Sequence, residues 1–508
     1  MSPNANLYAI IERALIEHAA VPVFELAGGK IISRDELRRQ TDYMAGALIA
    51  AGVQPGDRIT VQAEKSVALV SLYLAALKVG AVFHPLNSAY TAAEVAYFLA
   101  DAEPALVVAP AARLKEIEPT ARQHDVRAVF TLEADGSGTL AQAAAAATPV
   151  AEACVRDTDD LAALLYTSGT TGRSKGAMIT HGNLSSNATA LIEIWGLATG
   201  ETLIHALPIS HVHGLFVALN TALLGGLKMV WQEKFDAKAV LAQLPRAQIM
   251  MGVPTYYARL LAEPGLDRER CAGVRLFVSG SAPLLAETHA AFRQRTGHAI
   301  LERYGMTETG MIASNPLHAE RIAGTVGFAL PGVAVRIADD QGGDLPVGET
   351  GMVEVKGPNV FKGYWRLPEK TRDEFRADGY FITGDQGLLA GDGRLSLVGR
   401  AKDLIITGGL NVYPSEIEQA LNALPGVGES AVIGVPHADF GEAVVAVLVA
   451  SSAGALVPSE ADIIATLSQR LAKFKCPKRV VVLAELPRNS MGKVSKADLR
   501  ARYKTLLA

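Results

Sequence analysis

The 508-residue chain exceeds a single ordinary core, so about two to four folding units are expected. With 49% hydrophobic and 20% charged residues, it has the composition of a compact soluble protein and not of a disordered one. A formal charge of -4, with Lys and Arg scattered along the sequence, excludes a basic footprint for nucleic acid.

In chain order, "MSPNANLYAIIERALIEHAA" reads as an amphipathic helix and lacks the basic and apolar regions of a leader. The long apolar stretch "VALVSLYLAALKVGAVFHPL" from Val67 is broken by Ser71, Lys78 and Gly80, which predicts a buried helix running into a strand and no membrane partner. From about residue 30 to 330, helical periodicity alternates with "DRITVQAE", "ALVVAP", "LAALLYTSG", "AQIMMGVP" and "VRLFVSGSAP". That alternation predicts an α/β fold with parallel, doubly wound sheets. The Ala-rich "AQAAAAATPVAEA" reads as a surface helix and turn. From Gly332 the segments "GVAVRIADD", "TGMVEVKG" and "GRLSLVGR" predict a β-rich, antiparallel subdomain. After "LVGRAKDLIITGG" about a hundred residues form a small α+β domain. The boundary is placed at Lys402, giving domains 1–401 and 402–508. Cys154, Cys271 and Cys476 lie far apart with no CxxC spacing, which predicts inert packing thiols and a cytoplasmic protein.

The chemistry is densest at "YTSGTTGRSKG", residues 166–176. Gly169 and Gly172 free the backbone to turn its amides toward one point, Thr167, Ser168, Thr170, Thr171 and Ser174 add hydroxyls, and Lys175 adds charge. This composition suits phosphate, but the spacing fails the Walker pattern G-x-x-x-x-G-K-[ST], because Ser174 stands at the second glycine position. A phosphate loop of another kind is therefore expected.

That loop, with "RYGMTE" at 303–308, "TGD" at 383–385, "GRAKDLIITGG" at 399–409 and "PRNSMGKV" at 487–494, resembles the acyl-adenylate-forming superfamily of acyl-CoA synthetases, luciferases and adenylation domains. The resemblance covers essentially the whole chain and implies ATP, Mg²⁺ and coenzyme A as cofactors. It assigns Thr167, Ser168, Gly169, Thr170, Thr171 and Lys175 to the β- and γ-phosphates, Thr307 to the α-phosphate and Glu308 to the metal. Tyr304 would stack on adenine, walled by Gly280, Ser281 and Ala282, with Glu302 and Arg303 in the same nucleotide set. Asp385 would accept from the ribose, with Arg400 beside it. Lys493 would serve adenylation, and a mobile small domain pivoting at Lys402 would then bring Gly408 and Gly409 to the pantetheine arm. The exposed Lys493 also resembles a lysine that acyltransferases acetylate in related synthetases, which would remove its charge.

No "GxDS" carrier segment occurs, so free coenzyme A is the expected acceptor. His211 occupies the place where related synthetases put a residue gating the thiol tunnel. His213 reads equally as a second polar group there or as a satisfied core histidine. In "MGVPTYYARLL", Thr255 can cap a helix on which Tyr257, Leu260 and Leu261 face the core, and the resemblance to fatty and aryl acid synthetases, which have apolar or small residues here, would put the Arg259 cation near the acyl pocket. A guanidinium fork suits a second carboxylate. With "HALPISHVHGLFVA" and "SGSAPLLAETH", the chain looks most like malonyl-CoA synthetases: Arg259, aided by Ser279 and His205 or His211, would hold the distal carboxylate of malonate or methylmalonate. A medium-chain or aryl acyl-CoA synthetase is the alternative.

Overall fold

The structure is a computed structural model that describes residues 4–507 except 168–173, 408–409, 438–439, 453, 472, 490–491 and the side chain of Asn411. It divides into two compact units, Met1–Val335 with Val355–Phe381, and Arg336–Glu354 with Ile382–Ala508.

The first unit holds two sheets. The six-stranded sheet runs Ala128–Thr131, Leu106–Ala109, Arg58–Val61, Val82–Pro85, Leu161–Thr167, Lys175–Thr180, parallel except for the last pair. The nine-stranded sheet runs Phe328–Ala329, Gly310–Ser314, Leu301–Met306, Leu276–Ser279, Ile249–Gly252, Thr202–His205, Lys228–Trp231, Phe24–Glu25, Ile31–Ile32, antiparallel only toward its two ends. The strand after Thr202–His205 pairs on one side of it and the next pairs on the other. Open α/β sheets place ligands beyond the carboxyl ends at such a reversal, where His205 and Gly252 lie here.

The predicted apolar stretch is the helix Val67–Lys78 followed by the strand Val82–Pro85. Its leucines pack into the core, and the fully buried Lys78 ammonium is neutralised by Asp42 and by Glu12 at 3.5 Å. Among the described residues no helix is long and apolar enough to cross a membrane. The N-terminal helix Leu7–Glu17 buries Leu7, Tyr8, Ile11 and Leu15, the spacing an amphipathic helix requires. The Ala-rich segment forms the surface helix Thr139–Ala146, which buries Leu140 and Ala144 and exposes Gln142, Ala145 and Ala146. Cys271 and Cys476 are buried and Cys154 is half-buried; all three are free thiols.

The second unit takes in most of a four-stranded sheet ordered Ala334–Ala338, Gly351–Lys356, Phe381–Leu389, Leu395–Arg400. Its other sheet pairs Leu410–Val412, Ile405–Thr407, Gly441–Ala450 and Val427–His437 antiparallel, with Arg479–Leu483 added in parallel. The helices Pro414–Asn422, Glu460–Ser468 and Lys496–Tyr503 complete an α+β unit. The stretch "ADIIATLSQRLAKF" is helical only to Ser468, with a separate 3₁₀ turn at Lys473–Lys475.

Candidate active site

The strands Leu161–Thr167 and Lys175–Thr180 form a hairpin that sets Thr167 opposite Lys175. Ser168, Gly169, Thr170 and Thr171 lie outside the described residues. The Thr167 hydroxyl donates to Glu308 Oε1 at 3.3 Å. Glu308 is buried in the turn between the strands Leu301–Met306 and Gly310–Ser314, with Thr307 half-buried beside it. Sequence reasoning missed two residues that join this group, Tyr364 and Glu374. The Tyr364 hydroxyl lies 3.1 Å from Glu308 Oε1 and 2.7 Å from Glu374 Oε2, and Lys175 Nζ donates to Glu374 Oε1 at 3.0 Å while sitting 4.1 Å from the Tyr364 ring centre. In the sequence Tyr364 and Glu374 stand ten residues apart in "GYWRLPEKTRDEF", which carries no chemical signal of its own.

Burial, reinforced by Glu308 and Glu374, pushes the Tyr364 hydroxyl far above its ordinary pKa, so it stays a donor. Burial also pushes the Glu374 carboxyl up, but Lys370, Tyr364 and Lys175 outweigh it and hold it below the usual range. Lys175 is thus a cation set opposite Thr167 on the paired strand. Glu308 with the Thr167 hydroxyl offers the hard oxygen donors that Mg²⁺ prefers. Among the described residues no group of three His, Cys, Asp or Glu could hold an ion; Mg²⁺ is usually bound through one or two carboxylates together with substrate phosphates, a role that Glu308 would fit.

A second cluster surrounds Gly280. A Cβ at this position would lie 2.5 Å from Arg303 Nε and 2.6 Å from Nη1, so only glycine lets the guanidinium lie against the backbone. Arg303 is buried, and its Nε and one Nη have no protein partner. The same holds for Ser279 Oγ and His213 Nε2. Ser281, in the left-handed region at φ +71°, reaches His213 Nδ1 at 3.3 Å. Burial lowers Arg303 to about 9 and, with Arg303 and His205 adding to it, holds His213 well below its ordinary value. His213 opens a π-helical segment, His213–Leu219, an irregularity frequent at functional sites.

The remaining acid-side candidates separate. His205 is buried with both ring nitrogens engaged, Nδ1 by Lys65 Nζ at 3.0 Å and Nε2 by the Gly214 carbonyl at 2.9 Å, so its ring has no free edge for substrate. His211 is half-buried, with Nε2 3.4 Å from Asn87 Nδ2. Arg259 is exposed on the helix Pro254–Ala262, and its charge acts on the neighbouring Tyr256. Thr255 does not cap that helix as expected: Pro254 takes the first turn, and Val253 stands at the cap without a side-chain acceptor. Tyr257 and Leu260 do face the core.

Tyr304 is buried on the strand Leu301–Met306, where the register slips between Tyr304 and Gly305. Glu302 on the same strand accepts from Gly324 N at 3.2 Å, and burial raises its pKa to about 7. Ala282 follows Ser281 as an exposed residue.

Within the second unit, Asp385 and Arg400 face each other across paired strands, with Nε 2.7 Å from Oδ1. Lys402 is exposed in the short turn Ala401–Asp403, and Asp403 is held by Arg500 at 2.8 Å. Lys493 is exposed, its backbone fixed by a reciprocal pair with Asn489 at 3.0 and 2.9 Å. Gly408 and Gly409 lie outside the described residues.

Parallel sheets whose carboxyl ends present a hydroxyl–lysine hairpin, a buried metal-competent glutamate and an aromatic on the next strand define an adenylate-forming architecture. The chain belongs to the AMP-binding enzyme family, matching it over residues 12–365 and matching the AMP-binding enzyme C-terminal domain over 416–493. Its fold is similar to the crystal structure of ATP-bound MatB from Rhodopseudomonas palustris, with TM-score 0.96, 51% identity and full coverage of both chains. Among curated proteins it is 36% identical over 479 residues to the malonate–CoA ligase of Mus musculus, covering 87% of this chain and 81% of the relative. It is also 35% identical over 484 residues to a feruloyl-CoA synthase of Amycolatopsis sp, covering 94% and 95%. The protein is therefore an AMP-forming acyl-CoA ligase, joining an acid to coenzyme A through an acyl-adenylate at the expense of ATP.

Proposed function

We propose that the acid is malonate, with methylmalonate as a second substrate, and that the products are malonyl-CoA, AMP and pyrophosphate. The observation that carries this reading is the buried Arg303 guanidinium, with Ser279 Oγ and His213 Nε2 also lacking protein partners. A buried guanidinium without a counter-charge is costly, and a carboxylate satisfies it through paired N–H bonds. The distal carboxylate is assigned to Arg303, Ser279 and His213, with Arg259 as the outlying cation. The malonate–CoA ligase relative and the MatB neighbour support the same acid. The feruloyl-CoA synthase relative supports an aryl acid as the second reading, and a buried charge is a poor floor for an aromatic ring.

In this reading the proximal carboxylate attacks the α-phosphorus of ATP and expels pyrophosphate. Lys175 and Thr167 meet the β- and γ-phosphates, Thr307 the α-phosphate, Tyr304 the adenine and Asp385 the ribose. Glu308 would hold Mg²⁺, which when bound offsets charge on the phosphates. Lys493 stabilises negative charge at the α-phosphate during adenylation. The turn at Lys402 then lets the C-terminal domain, 402–508, change face for attack by the thiol, with His211 beside the thiol path and Gly408 and Gly409 along the pantetheine. Acetylation of Lys493 would silence the first step, which mass spectrometry paired with activity can follow.

Pyrophosphate release with malonate, acetate, octanoate and 4-coumarate tests the reading. Malonate should be preferred; preference for a monocarboxylate would overturn it.

A further inference from the structure

Lys65 follows the strand Arg58–Val61 of one sheet but spends its ammonium on the other. Its Nζ lies 3.0 Å from His205 Nδ1, 2.8 Å from the His205 carbonyl and 2.6 Å from the Gln232 carbonyl. The Trp231 ring centre lies 4.1 Å away, and that ring also packs on His205 at 4.8 Å. Three acceptors and one aromatic face match the three protons and the charge of an ammonium. Lys65 is buried without a carboxylate in hydrogen-bond contact, and burial pulls its pKa well down against the weaker opposing charge of Glu233. An apolar side chain of similar length would be cheaper to bury, so the fold alone does not account for this lysine.

The bonds fix the state of His205. The Gly214 carbonyl can only accept, so Nε2 carries the imidazole proton, and Nδ1 is left as the acceptor for Lys65. Gly214 has no space for a side chain against the Pro208 carbonyl, and it immediately follows His213. From Lys65 the contacts therefore run through His205 to the peptide beside His213, whose Nε2 belongs to the unpartnered cluster around Arg303.

We infer that Lys65 is a positioning residue for the acid: it holds His205 in one tautomer, and His205 clamps the Gly214 carbonyl so that His213 presents its free nitrogen to the substrate carboxylate. This rests on the acid site being the Arg303 cluster. None of the groups that Lys65 contacts, His205, Gln232 and Trp231, belongs to the set proposed for phosphate or thiol, so its loss should act on the acid alone.

The test is steady-state kinetics of Lys65→Met, His205→Gln and His205→Leu, using whichever acid the wild type prefers. A failure of the malonate reading then shows in the wild-type acid profile and not in these variants. Lys65→Met should raise KM for the acid about tenfold, as expected for one lost charge-assisted bond, with KM for ATP and kcat within about twofold. The glutamine amide can still donate to Gly214, so His205→Gln should stay within about threefold of the wild type in acid KM, and His205→Leu should resemble Lys65→Met. Unchanged acid KM in Lys65→Met, an equal rise for acid and ATP, or identical behaviour of the two His205 variants would overturn the inference. Should Lys65→Met fail to fold, the His205 pair decides.

Discussion

Lys175 and Glu374 form an ion pair, Nζ to Oε1 at 3.0 Å, in which Glu374 occupies the cation proposed for phosphate. The pair is partly exposed, with 15% and 20% of the two side chains accessible, so its strength is modest. Glu374→Gln keeps an acceptor for Tyr364 and removes the competing charge. Titration calorimetry should find ATP bound about threefold more tightly by this variant. Weaker binding would mean that Glu374 aims Lys175 instead of competing for it.

Gly280→Ala pushes a methyl group into the Arg303 guanidinium, whose Nε would be 2.5 Å away. Arg303 is buried, so its guanidinium has little room to withdraw without strain. Acid KM should rise at least about tenfold, by more than KM for ATP. A rise confined to ATP would assign Gly280 to the adenine wall alone.

Glu302 sets a pH dependence. Its folded pKa of about 7 exceeds the ordinary 4.5, so the native state binds the proton more tightly than the unfolded chain. The stability linked to it is fully present below about 4.5 and is lost as pH rises through about 7. Urea unfolding of Glu302→Gln should show a flatter pH profile across that window. At pH 8 the variant should gain up to about 3 kcal/mol, the equivalent of the shift, since its amide oxygen can still accept from Gly324. A profile parallel to the wild type would contradict this.

Lys493→Ala should abolish pyrophosphate release while still converting preformed acyl-adenylate and coenzyme A to thioester. Equal loss of both half-reactions, read by separate assays, would contradict a lysine used only for adenylation.

The sheets were legible because "ALVVAP", "AQIMMGVP" and "VRLFVSGSAP" are short apolar runs between helical periods, the pattern of strands buried on both faces. Thr167 and Lys175 were singled out by residue type in a glycine-rich setting, and Glu308 only by the resemblance of "RYGMTE". Tyr364 and Glu374 were not, since a tyrosine and a glutamate ten residues apart show no chemistry until the fold sets both against Lys175. Arg259 drew attention because a charge in an apolar helix stands out in sequence. Arg303 sits inside a nucleotide motif, and only its burial and unpartnered nitrogens distinguish it. Likewise Lys65 looks like any solvated lysine until His205 and Trp231 close over it.

The most direct measurement is the ratio of kcat/KM for malonate to that for propionate, which has the same length and one carboxylate, in the wild type, Arg303→Met and Arg259→Ala. The ratio should strongly favour malonate in the wild type and fall about a hundredfold or more in Arg303→Met, the cost of losing a buried bidentate partner. In Arg259→Ala it should fall less. A ratio unchanged by Arg303→Met would contradict the account, because the second carboxylate would then have to be recognised elsewhere.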